Sequence, residues 1–261
     1  MSHDFQQHAI RSAVMVFPLL FCALTQGCGK PVTPTPTLAP EPVSQVEVKD
    51  DEGKTALHRA AEDGNLDEVK SLVEKGADVH AKDNNGRTVL YAAAALNENP
   101  DVIRYLVEKG ADVHAKDDDG GTVLYAAAAR SENPDVIKYL VEKGADVHAK
   151  DNDGMTVLHA AALVNENPDV IKYLVEKGAD VHVKDNDGIT VLHYAAAVCE
   201  NIDVIGYLVE KGADVNAKDD DGETPWDVAN TEKKKQILRD AGGKSGKELE
   251  SLINFGMSKS S

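Results

Sequence analysis

Four histidines recur at an interval of 34 residues: His80, His114, His148 and His182. Imidazoles on a fixed beat suggest metal binding first, because neutral histidine is a common ligand. The interval argues against it. Ligands to one zinc must each lie ~2 Å from the ion, whereas equivalent side chains on neighbouring packed helices stand ~8–10 Å apart. Asn216 holds the same place one copy later, as a loop residue satisfying backbone groups does. The acidic runs Asp117-Asp118-Asp119-Gly120 and Asp151-Asn152-Asp153-Gly154 have the ingredients of a calcium loop. Glycine arrives before the third ligand of D-x-D-x-D-G, however, and no Glu follows at the twelfth place. Gly53-Lys54-Thr55 and Gly243-Lys244-Ser245 echo the end of a phosphate loop, but Val48 and Leu238 stand where its first glycine is required. Three cysteines, Cys22, Cys28 and Cys199, form no CxxC pair, so neither a zinc ribbon nor a disulfide framework is indicated. Cys199 reads as an incidental thiol. With no GxSxG, no HExxH and no paired Cys and His, the expectation is a non-enzyme with no cofactor and no bound metal.

The elements that carry these residues come from one repeated block. Asp83–Lys116 returns as Asp117–Lys150, Asp151–Lys184 and Asp185–Lys218 with most positions unchanged. Gly86, Gly120, Gly154, Gly188 and Gly222 keep the 34-residue beat, and Gly53 precedes the first of them by 33. Such self-similarity denotes a stacked array in which no copy buries its apolar side alone. Within a block, Asp-x-x-Gly before Thr is turn chemistry. A short apolar run such as TVLYAAAA follows, too short for a free-standing helix. Asn99-Pro100, Asn133-Pro134 and Asn167-Pro168 then restart the chain with an N-cap and a proline at the first helical position, while Asn201-Ile202 keeps only the cap. Val102, Ile103, Leu106 and Val107 share one face of the second helix, and Gly110 ends it.

Thr55-Ala56-Leu57-His58-Arg59-Ala60 and Thr156-Val157-Leu158-His159-Ala160-Ala161, each followed by LVEKGADV or a close variant, resemble the ankyrin repeat. The resemblance spans residues 47–243 and recurs six times. It implies an all-α solenoid of helix–turn–helix units with β-turn fingers: five full units and a C-terminal capping unit. Asn is the family's usual residue at the histidine ladder. Val in place of the usual Pro of the TPLH element, Tyr91 and Tyr125 in place of its His, and a one-residue lengthening between helices in the second to fifth units are departures in local geometry.

Ankyrin proteins grip partners in a concave groove lined by fingertips and by the ends of the inner helices. Those two zones are where the copies differ. At the tip, Arg87 becomes Gly121, Met155, Ile189 and Glu223. At the inner-helix end, Ala95-Leu96 becomes Ala129-Arg130, Leu163-Val164 and Ala197-Val198. The candidate contact residues are therefore Glu62, Asp63, Asn85, Arg87, Leu96, Asp119 and Arg130 in the first half. In the second half they are Asp153, Met155, Val164, Asp187, Ile189 and Val198. Exposed Met155, Ile189, Leu96 and Val198 would form an apolar stripe bordered by acid, as a protein-binding face should. The plainer alternative is relaxed drift on an unused surface.

The formal net charge is −17, from 45 acidic against 28 basic residues. That balance opposes binding to nucleic acid or anionic lipid, since phosphate contacts need clustered Lys and Arg. Solubility of a long exposed surface explains the acidity most simply, and a basic protein partner is the sharper alternative. Residues 1–28 form a signal-like segment: Arg11, the apolar run Ala13–Leu24, then LTQGC, which resembles a bacterial lipobox. Cys28 would be the lipidated residue, and Gly29 after it would favour the outer membrane. Ordinary cleavage or an uncleaved anchor are the alternatives. Residues 29–46 carry Pro31, Pro34, Pro36, Pro40 and Pro42, a disordered and extended tether reaching ~60 Å at ~3.1 Å per residue. The first unit is the more charged, with Arg59, Glu62 and Asp63, and the last is polar again around Glu232–Gln236, as terminal copies should be. Residues 244–261 open with a Ser245–Glu248 capping box and hold a short amphipathic helix that docks on the last unit or frays. The expectation is a monomeric interaction module at the cell envelope, touching membrane only through its lipid. A spacer solenoid is the principal rival, and a secreted soluble protein the lesser one.

Overall fold

Each unit opens where a threonine caps a short apolar helix. In the computed structural model, which describes residues 47–96, 99–131, 133–165 and 167–258, the Thr122 hydroxyl accepts the Tyr125 N–H at 3.1 Å. Helices pair along the chain: α1 (Ala56–Glu62) with α2 (Leu66–Glu74), α3 (Val89–Leu96) with α4 (Pro100–Glu108), and α5 (Val123–Arg130) with α6 (Pro134–Glu142). Then come α7 (Val157–Val164) with α8 (Pro168–Glu176), α9 (Val191–Ala197) with α10 (Asp203–Glu210), and α11 (Pro225–Val228) with α12 (Glu232–Asp240). A last helix, α13 (Gly246–Ser258), closes the described chain. The odd-numbered members α1 to α11 stack one on another as an inner layer, and the even-numbered ones pack outside them. Among the described residues extended backbone is confined to isolated antiparallel bridges, Lys82 to Thr88 and its equivalents in the next three units. The array is the all-α repeat solenoid expected.

Seven or eight residues cannot hold a helix unaided; the stack supplies the stability. Val123 to Ala129 are all buried in α5, so alanine is needed on the sides where neighbouring inner helices approach. Outer helices are amphipathic instead, burying Val102, Ile103 and Leu106 in α4 and the same three types in α6 and α8. Each fully buried Leu or Ile of this kind contributes ~1.5–3 kcal/mol. The asparagine caps work as read: Oδ1 of Asn99, Asn133 and Asn167 accepts the N–H two residues on at 3.0–3.1 Å. Asn201 does the same for Asp203 at 3.0 Å without a proline. Gly110 closes α4 at φ +95°, a backbone region that suits glycine.

Side chains tie each unit to its predecessor where the connection is lengthened. Buried Asn165 donates through Nδ2 to the carbonyls of Ala128 and Ser131, both at 2.9 Å. Cys199 fills the equivalent place one unit later and is also buried. Along one edge, lysines form a ladder: Lys82 Nζ donates to the Lys116 carbonyl (3.2 Å), Lys116 to Lys150 (3.0 Å), and Lys150 to Lys184 (3.2 Å).

Both ends are modified. In the first unit Lys54 is buried between Glu62 at 2.8 Å and Glu52 at 3.1 Å. In the last, Lys234 is buried and donates to the Ala196 carbonyl at 3.1 Å, and Trp226 is half-buried with Lys235 and Arg239 over its ring at 4.7 and 5.0 Å. Ser245 and Glu248 form the expected capping box. The start of α13 is docked, since the Gly246 N–H donates to Asp227 at 2.7 Å. Leu252, Ile253 and Phe255 further along it are exposed. Cys28, the signal-like segment and the proline-rich tether lie outside the described residues. No described helix is long and apolar enough to cross a membrane.

Candidate partner-binding face

Every fingertip is stapled by an aspartate. Asp83 Oδ1 accepts the N–H groups of Asn85 (2.8 Å) and Arg87 (2.9 Å). Asp151 does so for Asp153 and Met155, Asp185 for Asp187 and Ile189, and Asp219 for Asp221 and Glu223. Successive tips then join through their backbones. Asn84 N–H donates to the Glu52 carbonyl, Asp118 to Asn85, Asn152 to Asp119, Asn186 to Asp153 and Asp220 to Asp187, all at 2.9–3.0 Å. Glycine is required where they meet. Gly120 has φ +81°, and a Cβ there would lie 2.6 Å from Asn152 Oδ1 of the next tip. The tips are thus one continuous, preformed edge.

Asp63, Asn85, Leu96, Asp119 and Asp187 are exposed on this edge and on the inner-helix ends. Glu62, Arg130, Asp153, Val164 and Val198 are half-buried, with Glu62 turned to Lys54. Three candidates depart from expectation. Met155 (1% exposed), Ile189 (3%) and Arg87 (8%) belong to the interior, so the apolar stripe predicted on the surface does not exist in that form. The residue after the tip glycine turns inward, toward the inner-helix tyrosines. Met155 Sδ lies 3.8 Å from the Tyr125 hydroxyl and 4.0 Å from that of Tyr194. The Arg87 guanidinium carbon stands 5.6 Å from the Tyr91 ring centre, with Nε 3.9 Å from Asp117.

The stapling aspartates and these tyrosines were not among the candidates. Tyr91 donates to Asp117 and Tyr125 to Asp151, each crossing to the next unit, and Tyr194 donates to Asp185 of its own at 2.8 Å. A signal existed: the frame keeps Asp at 83, 117, 151, 185 and 219 while neighbouring tip positions alternate Asp with Asn. Burial pushes the Asp151 carboxyl up to about 6, with Asp153 adding to the effect, and pushes Asp219 up to about 6 beside Glu223 and Asp221. Burial, with the facing carboxylate, raises Tyr91 and Tyr125 as well. Where the unit keeps histidine, the ring makes the inter-unit contact instead. Nδ1 of His58 and of His193 accepts from the threonine cap, and Nε2 donates to the carbonyls of Arg87 (3.3 Å) and Glu223 (3.1 Å). His159 packs edge-on against Tyr194, ring centres 5.8 Å apart. Burial pushes His159 and His193 down to about 4.

The histidine ladder lies elsewhere, in the return loops. Backbone N–H groups of His80, His114, His148 and His182 donate to the aspartate two residues before, at 2.8–2.9 Å, and the residues are exposed. Among the described residues no three His, Cys, Asp or Glu side chains converge to hold a metal ion.

A family model described as ankyrin repeats (three copies) matches residues 20–117, 93–185, 124–219 and 163–239, most of the chain. The chain belongs to the ankyrin-repeat family. Curated relatives include the Notch-regulated ankyrin repeat-containing proteins of Xenopus tropicalis and Homo sapiens, and its A form in Danio rerio. Each is 49% identical over 43 residues, which is 16% of this chain and 38% of the relative. The chain therefore spans well under half the length of these relatives. An ankyrin array is a protein–protein interaction module, and the stapled tips of this one make its most regular surface.

Proposed function

We propose that this ankyrin array recognises a basic protein partner on the face formed by its tips and inner-helix ends, as a monomer tethered to a bacterial cell envelope. The observation that carries the reading is the tip ladder, which holds Asn85, Asp119, Asp153 and Asp187 in one row by backbone hydrogen bonds. A row so fixed needs little ordering on association. Leu96, Arg130, Val164 and Val198 flank it with apolar and cationic contacts. Asp63 and Glu62 extend it toward the first unit. Nucleic acid is disfavoured as a partner by the same acidity.

The tether rests on residues 1–46. An apolar run after Arg11, LTQGC ending at Cys28, and five prolines behind it together fit a lipidated cysteine and a stand-off linker. Contact with the membrane is then through the lipid alone, with residues 47–243 as the binding domain and 244–261 as its tail. Replacing Cys28 with Ser releases such a protein from membrane fractions, and retention contradicts the anchor.

The test of recognition is capture by the wild type against Asp119→Lys/Asp187→Lys, two exposed changes that spare the stapling aspartates. Loss of the captured protein in the variant, and weakening as salt rises, are expected. Equal capture by both contradicts the tip face. A spacer role is favoured by one observation, the identity of α6 and α8 in sequence, PDVIKYLVE; it predicts no partner at all.

A further inference from the structure

Most of what joins one unit to the next is the same at every joint. The tip ladder runs through backbone groups, and the lysine ladder repeats one contact at each step. The outer helices α6 and α8 are identical in sequence. Whole blocks are close to interchangeable, since Asp117–Lys150 and Asp151–Lys184 differ at seven of 34 positions. The stability of such an array is a sum over nearest neighbours, so these shared contacts stabilise a wrong neighbour as much as the right one. Misassembly and exchange of units between chains are the characteristic errors of repeat proteins.

What differs from joint to joint is the buried seal between a tip and the inner helix before it. Tyr91 donates to Asp117, and Arg87 Nε stands 3.9 Å from the same carboxylate. These groups take up the space beside the next tip: a Cβ on Gly121 would lie 3.2 Å from Asp117 Oδ1 and 3.4 Å from the Tyr91 hydroxyl. At the following joint the tip carries Met155, whose Sδ fills the space between the hydroxyls of Tyr125 and Tyr194 at 3.8 and 4.0 Å. Tyr194 stands where α3, α5 and α7 have Ala92, Ala126 and Ala160. The fifth unit brings buried Ile189, whose backbone meets the His159 ring. The last brings Glu223, whose carbonyl accepts from His193 at 3.1 Å. Methionine in the place of Gly121 overfills one joint, and glycine in the place of Met155 leaves a cavity at another; both are costly in a close-packed interior.

We propose that these unlike seals fix the order of the units, each tip accepting its own predecessor and rejecting the near-identical copies elsewhere in the chain. The inner-helix residues that differ between copies, Leu96, Arg130, Val164 and Val198, are then presented in one order.

The test exchanges the blocks Asp117–Lys150 and Asp151–Lys184 within the full chain, which keeps its length, its composition and the contacts common to all joints. The urea midpoint of the exchanged chain should fall by about 1 M, from overfilling at one joint and a cavity at another. Putting only Gly121, Tyr125, Met155 and His159 back in their native places should recover most of that loss, with the remaining differences still exchanged. The converse variant, Gly121→Met/Tyr125→His/Met155→Gly/His159→Tyr in the native block order, should lose as much as the exchanged chain. It keeps the test decisive where the exchanged chain does not fold. An exchanged chain or a converse variant with the wild-type midpoint overturns the proposal, as does an exchanged chain that the restored seal does not rescue.

Discussion

Met155 Sδ lies 3.8 Å from the hydroxyl of Tyr125, a residue of the preceding unit, and the methionine is 1% exposed. A position that varies from unit to unit as Arg, Gly, Met, Ile and Glu therefore varies because each tip seals a different tyrosine or histidine beneath it. Variation here follows packing; under the proposed function, recognition falls to the neighbouring row of Asn85, Asp119, Asp153 and Asp187.

Met155→Asp consequently unfolds rather than unbinds. A carboxylate placed against Asp151 and two tyrosines is uncompensated and costs roughly 3–5 kcal/mol. Met155→Leu, close in volume, costs under about 1.5 kcal/mol. Urea midpoints of the two variants check this. Equal midpoints would return Met155 to the surface.

Asn165→Ala leaves the Ala128 and Ser131 carbonyls buried without the amide that now reaches both at 2.9 Å. Stability should fall by roughly 2 kcal/mol, the cost of unsatisfied buried acceptors. Thermal unfolding measures it, and a midpoint within error of the wild type contradicts the inter-unit role of this side chain.

Opposed titrations shape the acid side of the stability curve. Asp151, about 6 when folded against ~3.9 unfolded, contributes stability that is complete below the unfolded value and lost as pH rises through 6. His159 and His193, about 4 when folded against ~6.5 unfolded, contribute stability that is present above the unfolded value and lost as pH falls toward 4. Asp151→Asn keeps the Oδ1 acceptor and removes the first of these effects. Between pH 6.5 and 4 its urea midpoint should therefore drop more steeply than that of the wild type. Parallel curves contradict the burial of Asp151.

The period was legible because the blocks repeat almost unchanged, and the threonine and asparagine caps, the turn glycines and the Ser245–Glu248 box because each is a local relation within four residues. The inward direction of Arg87, Met155 and Ile189 was not. For Met155 it depends on Tyr125 and Tyr194, 30 and 39 residues away and brought close by stacking, whereas Arg87 folds over Tyr91 of its own unit. The tyrosine–aspartate pairs escaped for the same reason, although Tyr91 and Tyr125 were visible as departures from histidine. Polar ends were foreseen, but the burial of Lys54 and Lys234 within them was not; Lys54 pairs with Glu62 of its own unit, and Lys234 with the Ala196 carbonyl that stacking brings to it.

Amide hydrogen exchange at Asn84, Asp118, Asn152, Asn186 and Asp220 tests most directly whether the tips form one locked surface. These N–H groups lie on turns, where exchange is ordinarily fast, yet each donates to the preceding tip. Protection comparable to the inner-helix amides of the same unit is expected, strongest at Asp118 and Asn152 in the middle of the array. Exchange at the rate of free loops, with the inner helices still protected, would contradict a preformed binding edge.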